Sequence, residues 1–123
     1  MQSLDYAGVS AGEVGGISSH GTGTVYNDSM EMKAYKSIFA DQPVPLYSIK
    51  GALGHTMGAA GLIETAVALR VLREKVIPET IGLREADPEA HDWVSLEKRK
   101  LGKSIVLLNN SGFGGVNAAL VLK

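Results

Sequence analysis

Lys50-Gly51-Ala52-Leu53-Gly54-His55-Thr56-Met57-Gly58-Ala59-Ala60-Gly61-Leu62-Ile63-Glu64 is the stretch on which the reading of this chain turns. It sets an ammonium and an imidazole among glycines, where backbone can approach a ligand closely. Gly58 to Gly61 is a tight patch of small residues. From Leu62 to Lys75 the pattern predicts a helix, with apolar groups at Leu62, Ile63, Ala66, Val67, Leu69, Val71 and Leu72. Those groups surround much of its circumference, so the helix is expected to be largely buried. Arg70, Arg73 and Lys75 fall in its last turns, where cations suit the helix dipole.

Upstream, Val44 to Ile49 reads as a strand, and Gln42-Pro43 as the end of a preceding helix. Asp28 followed by Glu31 looks like a capping-box start for that helix. Met32, Tyr35, Ile38 and Phe39 continue it at helical spacing. Before it stand His20-Gly21-Thr22-Gly23-Thr24, a glycine-rich turn fed by a strand predicted over Val14 to Ser19. Residues 4–8 read as the last turn of a helix ending at Gly8.

Downstream, Pro78 to Trp93 is loop-rich, since Pro78 and Pro88 block long regular elements. His91 is read as surface loop and Trp93 as a loop anchor. Lys98, Arg99, Lys100 and Lys103 read as a solvated turn, with contact to an acidic carrier protein as a weaker alternative. Ser104 to Leu108 and Ala118 to Leu122 are continuous apolar runs, expected as buried strands in an antiparallel hairpin. Between them lies Asn109-Asn110-Ser111-Gly112-Phe113-Gly114-Gly115. Strand–helix alternation followed by paired strands predicts an α/β layered fold.

A chain of 123 residues is one domain or less. Its net charge of −1 provides no field favouring nucleic acid or an anionic membrane. No apolar run approaches the roughly 20 residues that span a bilayer. The absence of cysteine excludes disulfides, thiolate–metal sites and cysteine catalysis by this chain alone. It also fits a reducing cytoplasm. Met1 to Asp5 lacks the regions of a signal peptide, so a soluble, cytoplasmic protein is expected. The spacings of the three histidines match no metal-ligand pair. Neither glycine pattern of nucleotide-binding loops occurs. What remains is two imidazoles, an ammonium and a glycine-rich turn carrying one aromatic, with no nucleophile to serve.

The three motifs, in this order, closely resemble the C-terminal part of β-ketoacyl-acyl-carrier-protein synthases, condensing enzymes with the thiolase fold. The resemblance runs from about Ala7 to Lys123. It implies a single partial domain over 1–123, the C-terminal half of a thiolase-like α/β fold. A mixed sheet is packed with helices and is incomplete without the N-terminal half that bears the nucleophilic cysteine. It also implies the chemistry: malonyl thioester loses carbon dioxide, and the carbanion attacks an acyl thioester held on that cysteine.

On this resemblance His20 and His55 match the two catalytic histidines, and Lys50 the lysine that supports them electrostatically. Glu31 and Glu64 match the acidic positions that hold the lysine and its surroundings. Thr22 and Thr24 match hydroxyls that bind the phosphopantetheine arm. Phe113 matches the aromatic gate, hinged by Gly112 and Gly114, whose backbone N–H helps form the oxyanion hole. No metal and no resident cofactor are implied, because the substrates ride on the phosphopantetheine of an acyl carrier protein. A homo- or heterodimer is expected.

Two residues depart from the family pattern: Val25 replaces a proline after the second threonine, and Ser111 replaces a second phenylalanine before the gate. The alternative reading is a noncatalytic partner resembling a chain-length factor. An expressed fragment and a split-gene product fit the length equally well. Having no thiol, the chain by itself is expected to form no acyl-enzyme. Incubation with an acyl-thioester donor followed by mass spectrometry checks this.

Overall fold

The computed structural model describes residues 2–40 and 42–123. Helix α1 (Gln2–Ala7) stops at Gly8, whose φ of +63° suits glycine. A short 3₁₀ turn leads to strand β1 (Gly16–Ser18). Helix α2 (Val25–Phe39) follows the glycine-rich turn, then β2 (Leu46–Tyr47), the single-turn α3 (Lys50–Leu53) and the long α4 (Ala60–Glu74). Two short strands, β3 (Val76–Ile77) and β4 (Arg99–Lys100), bracket the irregular segment between them. The chain closes with β5 (Val106–Ser111) and β6 (Asn117–Leu122).

The main sheet has the order β2-β1-β5-β6. β1 lies parallel to β2 and to β5, with Ile17 opposite both Leu46 and Leu107. β5 and β6 form the expected antiparallel hairpin, in register from Val106 opposite Leu122 to Ser111 opposite Asn117. The sheet is therefore mixed, as expected.

Period-two alternation along β5 divides the core between the sheet's two faces. Leu107 joins Ile17, Leu4, Met32, Tyr35, Phe39 and Trp93 on the side covered by α1 and α2. Val106 and Leu108 join Tyr47, Ala68, Val71, Ile77 and Leu101 on the side covered by α4. Trp93 is the loop anchor that its position predicted. It stacks on Tyr35 at 6.2 Å between ring centroids and meets Phe39 edge-on at 6.1 Å.

Several sequence expectations need correction. Asp28 does not cap α2: the helix starts three residues earlier, behind Thr24, and the Asp28 N–H donates back to the Thr24 carbonyl at 2.9 Å. Glu31 is thereby free to point inward. The helix ends at Phe39, before Gln42-Pro43, and β2 is shorter than Val44 to Ile49. α4 takes in Ala60 and Gly61, and it is not largely buried. Glu64, Ala68 and Val71 face the sheet, while Leu62 is 78% and Leu69 53% exposed. β6 is not a buried strand either. It is the sheet edge beyond β5, most of its residues are exposed, and Leu120 is 43% exposed. The pairing of β3 with β4 was not foreseen, because two-residue strands carry no usable period.

Leu62, Leu69, Val116 and Leu120 thus leave apolar surface and an unpaired strand edge in water. The chain on its own is expected to self-associate as its concentration rises. Sedimentation velocity across a hundred-fold concentration range checks this, and a single monomeric species throughout would contradict it.

Candidate active site

The three polar segments meet because of the sheet's topology. β1 delivers His20, β2 delivers Ser48 and Lys50, and β5 carries Asn109 and Asn110 near its carboxyl end. All three strands are parallel to one another, so these residues gather at one edge, at the carboxyl ends of the strands.

Lys50 and Glu64 form the buried centre. The Lys50 Nζ lies 2.5 Å from Glu64 Oε1, and their side chains are 6% and 2% exposed. An ammonium this far from water needs a carboxylate partner, since the unpaired charge costs several kcal/mol, about 3–5 when one partner is removed. Glu64 reaches Lys50 from the first turns of α4, whose start is fixed by the 3₁₀ turn at Met57–Ala59. The second oxygen, Glu64 Oε2, accepts from Asn110 Nδ2 at 2.6 Å. Asn110 Oδ1 in turn lies 3.2 Å from His20 Nδ1. Lys50, Glu64, Asn110 and His20 therefore make one continuous chain of polar contacts.

His20 is buried, while His55 is exposed at the surface of the site. Their rings meet edge-on, with centroids 5.3 Å apart. The Met57 N–H donates to His55 Nδ1 at 3.1 Å. A neutral His55 ring must then carry its proton on Nε2, which makes that atom a donor.

Glu31 does not pair with Lys50, contrary to the expectation that it helps hold the lysine. It anchors the loop after β1 instead. Its Oε1 accepts from the His20 N–H at 2.8 Å, and its Oε2 from the Gly21 N–H at 2.7 Å. Tyr35 Oη, Asn27 Nδ2 and Asn109 Nδ2 donate to the same carboxylate at 2.8, 2.8 and 3.0 Å. Burial alone would raise the Glu31 pKa. The hydrogen bonds from Asn109, Gly21, Tyr35 and Asn27 outweigh it and hold the group below its ordinary 4.5. Burial, then the charge of Glu31, pushes Tyr35 well above 10, so its phenol stays a donor.

The glycine-rich loop also packs tightly from below. Gly21 has φ of +44°, and a Cβ there would meet the Ser48 side chain at 2.5 Å. Ser48 Oγ donates to the Gly21 carbonyl at 2.9 Å. Thr22 and Thr24 project from this loop with their hydroxyls 2.9 Å apart. Thr22, Lys50 and His55 share a cleft of about 750 Å³ with the loop around Ile81.

Phe113 stands apart from this cluster. It sits in the turn between β5 and β6, closed by Gly112 N–H donating to the Val116 carbonyl at 2.7 Å. Its ring is fully exposed and does not cover the histidines. Gly114 and Gly115 have φ of +78° and +81°, conformations that favour glycine.

Asn109, Asn110, Tyr35 and Ser48 belong to the site without having been assigned roles from the sequence. The available signal was the pair of adjacent asparagines in an otherwise apolar strand, where such residues are disfavoured unless they have work to do.

Comparison with known proteins bears on the family and the fold. The family described as β-ketoacyl synthase, C-terminal domain, matches residues 1–84. The chain belongs to that family. A 3-oxoacyl-[acyl-carrier-protein] synthase 2 of Coxiella burnetii is 38% identical over 98% of this chain and 30% of its own length. The solved ishigamide ketosynthase/chain length factor superposes with a TM-score of 0.89 at 39% identity, covering 96% of this chain and 30% of that one. A type II polyketide acyl-carrier protein in complex with its ketosynthase, bound to the hexaketide, gives a TM-score of 0.90 at 28% identity. It covers 98% of this chain and 30% of that one. The chain spans 26 to 30% of the length of the curated β-ketoacyl synthases it matches. Its fold is the C-terminal part of the thiolase-like ketosynthase fold. None of its helices among the described residues is long and apolar enough to cross a membrane.

Glu31→Gln presents an NH₂ group to donors that need an acceptor, and should cost about 1–3 kcal/mol in urea denaturation. The folded pKa of Glu31 is depressed, so its stabilisation is complete above the unfolded value of 4.5 and is lost as pH falls through the folded value. The Glu31→Gln variant should therefore lose less stability than the unsubstituted protein on acidification below pH 4.5.

Proposed function

We propose that residues 1–123 are the C-terminal portion of a β-ketoacyl-acyl-carrier-protein synthase, contributing the histidines, the lysine and the aromatic gate to a decarboxylative condensation. The observation that carries this reading is the convergence of the His20 and His55 rings, 5.3 Å apart, beside a buried Lys50–Glu64 pair.

In the reaction, malonyl thioester loses carbon dioxide as the carbon–carbon bond to the carboxylate breaks. The bonding electrons pass into the thioester, placing negative charge on its carbonyl oxygen. A preorganised N–H aimed at that oxygen stabilises the charge as it develops. His55 Nε2–H is such a donor, since Met57 occupies the other ring nitrogen. The enolate carbon then attacks the acyl thioester carbonyl, and the sulfur of a cysteine leaves as thiolate. That cysteine belongs to an N-terminal half, because this chain has none. Lys50 supports the cluster electrostatically, paired by Glu64, while Glu31 fixes the backbone that presents His20. Thr22, which lines the cleft, and Thr24, whose hydroxyl lies 2.9 Å from that of Thr22, bind the phosphopantetheine arm of an acyl carrier protein. Phe113 swings on Gly112 and Gly114 to close behind the acyl chain. No resident cofactor takes part. The chain works as one folded portion of a dimeric enzyme, in fatty acid or polyketide synthesis, in the cytoplasm.

The ishigamide match, to a ketosynthase/chain length factor, also raises the reading of a noncatalytic partner. Retention of both imidazoles and of the paired lysine favours the catalytic reading.

The test combines this chain, as part of the complete protein or together with a cysteine-bearing N-terminal half, with malonyl-acyl carrier protein. His20→Ala and His55→Ala should each lower decarboxylation by about 10²–10⁴-fold. Lys50→Ala should lower it as well. Unchanged rates in both histidine variants would refute the catalytic role.

A further inference from the structure

We propose that Asn110 is a positioning residue that fixes the tautomer of His20, and that Glu64 dictates which way Asn110 points. The inference rests on the condensing-site reading above, and adds to it a residue and a protonation state that distinguish the two histidines.

The argument follows the donors. Glu64 is paired with Lys50 through Oε1 at 2.5 Å, so its carboxylate only accepts. The atom of Asn110 that lies 2.6 Å from Glu64 Oε2 must therefore be the NH₂ group. Turning the amide over would set two oxygens against each other at that distance. The amide oxygen is then the atom left facing His20, 3.2 Å from Nδ1. An amide oxygen has no proton to give, so His20 Nδ1 must carry one. Neutral His20 is thus protonated on Nδ1 and keeps its lone pair on Nε2. His55 is fixed in the opposite sense, because Met57 N–H donates to its Nδ1 at 3.1 Å. Two rings in edge contact at 5.3 Å are held as complementary forms, His55 with a donor and His20 with an acceptor at Nε2. Such a pair can give a hydrogen bond to a carbonyl oxygen with one ring and accept one from water or substrate with the other.

The ordering originates at Lys50. Its charge fixes Glu64 as an acceptor, Glu64 orients the Asn110 amide, and the amide sets His20. Asn110 does this from β5, one residue after Asn109, whose own amide faces Glu31. Its neighbours in the strand ladder are Asn109 and Ser111, and its cross-strand partner is Ala118, so no second polar side chain of the hairpin opposes it.

The experiment is nitrogen NMR of the complete protein carrying this segment, labelled with ¹⁵N-histidine at neutral pH. Signals are assigned by single substitutions of His20, His55 and His91. The pattern of two-bond couplings reports which ring nitrogen is protonated. In the unsubstituted protein His20 is expected in the Nδ1–H form and His55 in the Nε2–H form. In Asn110→Leu, which has similar volume and no polar atom, His20 should shift to the Nε2–H form. The kcat for malonyl decarboxylation should then fall about ten-fold or more with KM little changed. An Nε2–H form of His20 in the unsubstituted protein overturns the proposal, whether or not the leucine variant folds. So does a leucine variant with an unchanged His20 tautomer or an unchanged kcat. The functional reading fails separately: the tautomers can be as stated while His55→Ala leaves decarboxylation intact.

Discussion

Two carboxylates are buried on opposite faces of the sheet, and consecutive asparagines of one strand satisfy both. Asn109 donates to Glu31 on α2, and Asn110 donates to Glu64 on α4. Side chains alternate along a strand, so adjacent residues necessarily face opposite ways. β5 therefore acts as the common brace for two layers of helix. Replacing either amide with an apolar group leaves a buried carboxylate oxygen short of a donor, a cost that grows with the charge involved.

The two carboxylates do different work. Glu31 collects five donors and thereby fixes backbone: the N–H groups of His20 and Gly21 are tied to α2. Glu64 fixes charge: it neutralises Lys50 and passes the consequence through Asn110 to the His20 ring. One histidine is thus held from both its main chain and its side chain. His55 is held more lightly, by the Met57 N–H and the edge of the His20 ring, and lies exposed. The half of the pair that is held from two sides is buried, and the other half is accessible.

Much of this was legible in the residues. The strand after Val14, the helix carrying Met32, Tyr35 and Phe39, and the closing hairpin follow from period and turn chemistry. The grouping of His20, Lys50 and His55 was legible from the motifs and the family resemblance they carry, and Trp93 from its place in the loop. Less legible was what each apolar run packs against. Leu62, Leu69 and Leu120 are as hydrophobic as the core residues near them, yet they lie in water. Hydropathy records the cost of exposure, not whether a neighbouring layer is there to relieve it. The polar wiring was equally hidden. Asp28 and Glu31 have capping-box spacing, but a helix that starts at Val25 turns Glu31 inward.

The sequence by itself determined the chemistry available to the motifs: two imidazoles, one amine, two carboxylates, an aromatic flanked by glycines and no thiol. It also determined the family, because three motifs in fixed order are specific where one glycine-rich loop is not. Only the tertiary structure decided the partners. Parallel pairing of β1 with β2 and β5 brings together segments that are up to 90 residues apart in the chain. That pairing is a long-range choice, fixed by burying both faces of the sheet at once. Which carboxylate meets the lysine, and which amide meets the histidine, follows from that geometry and has no local signature.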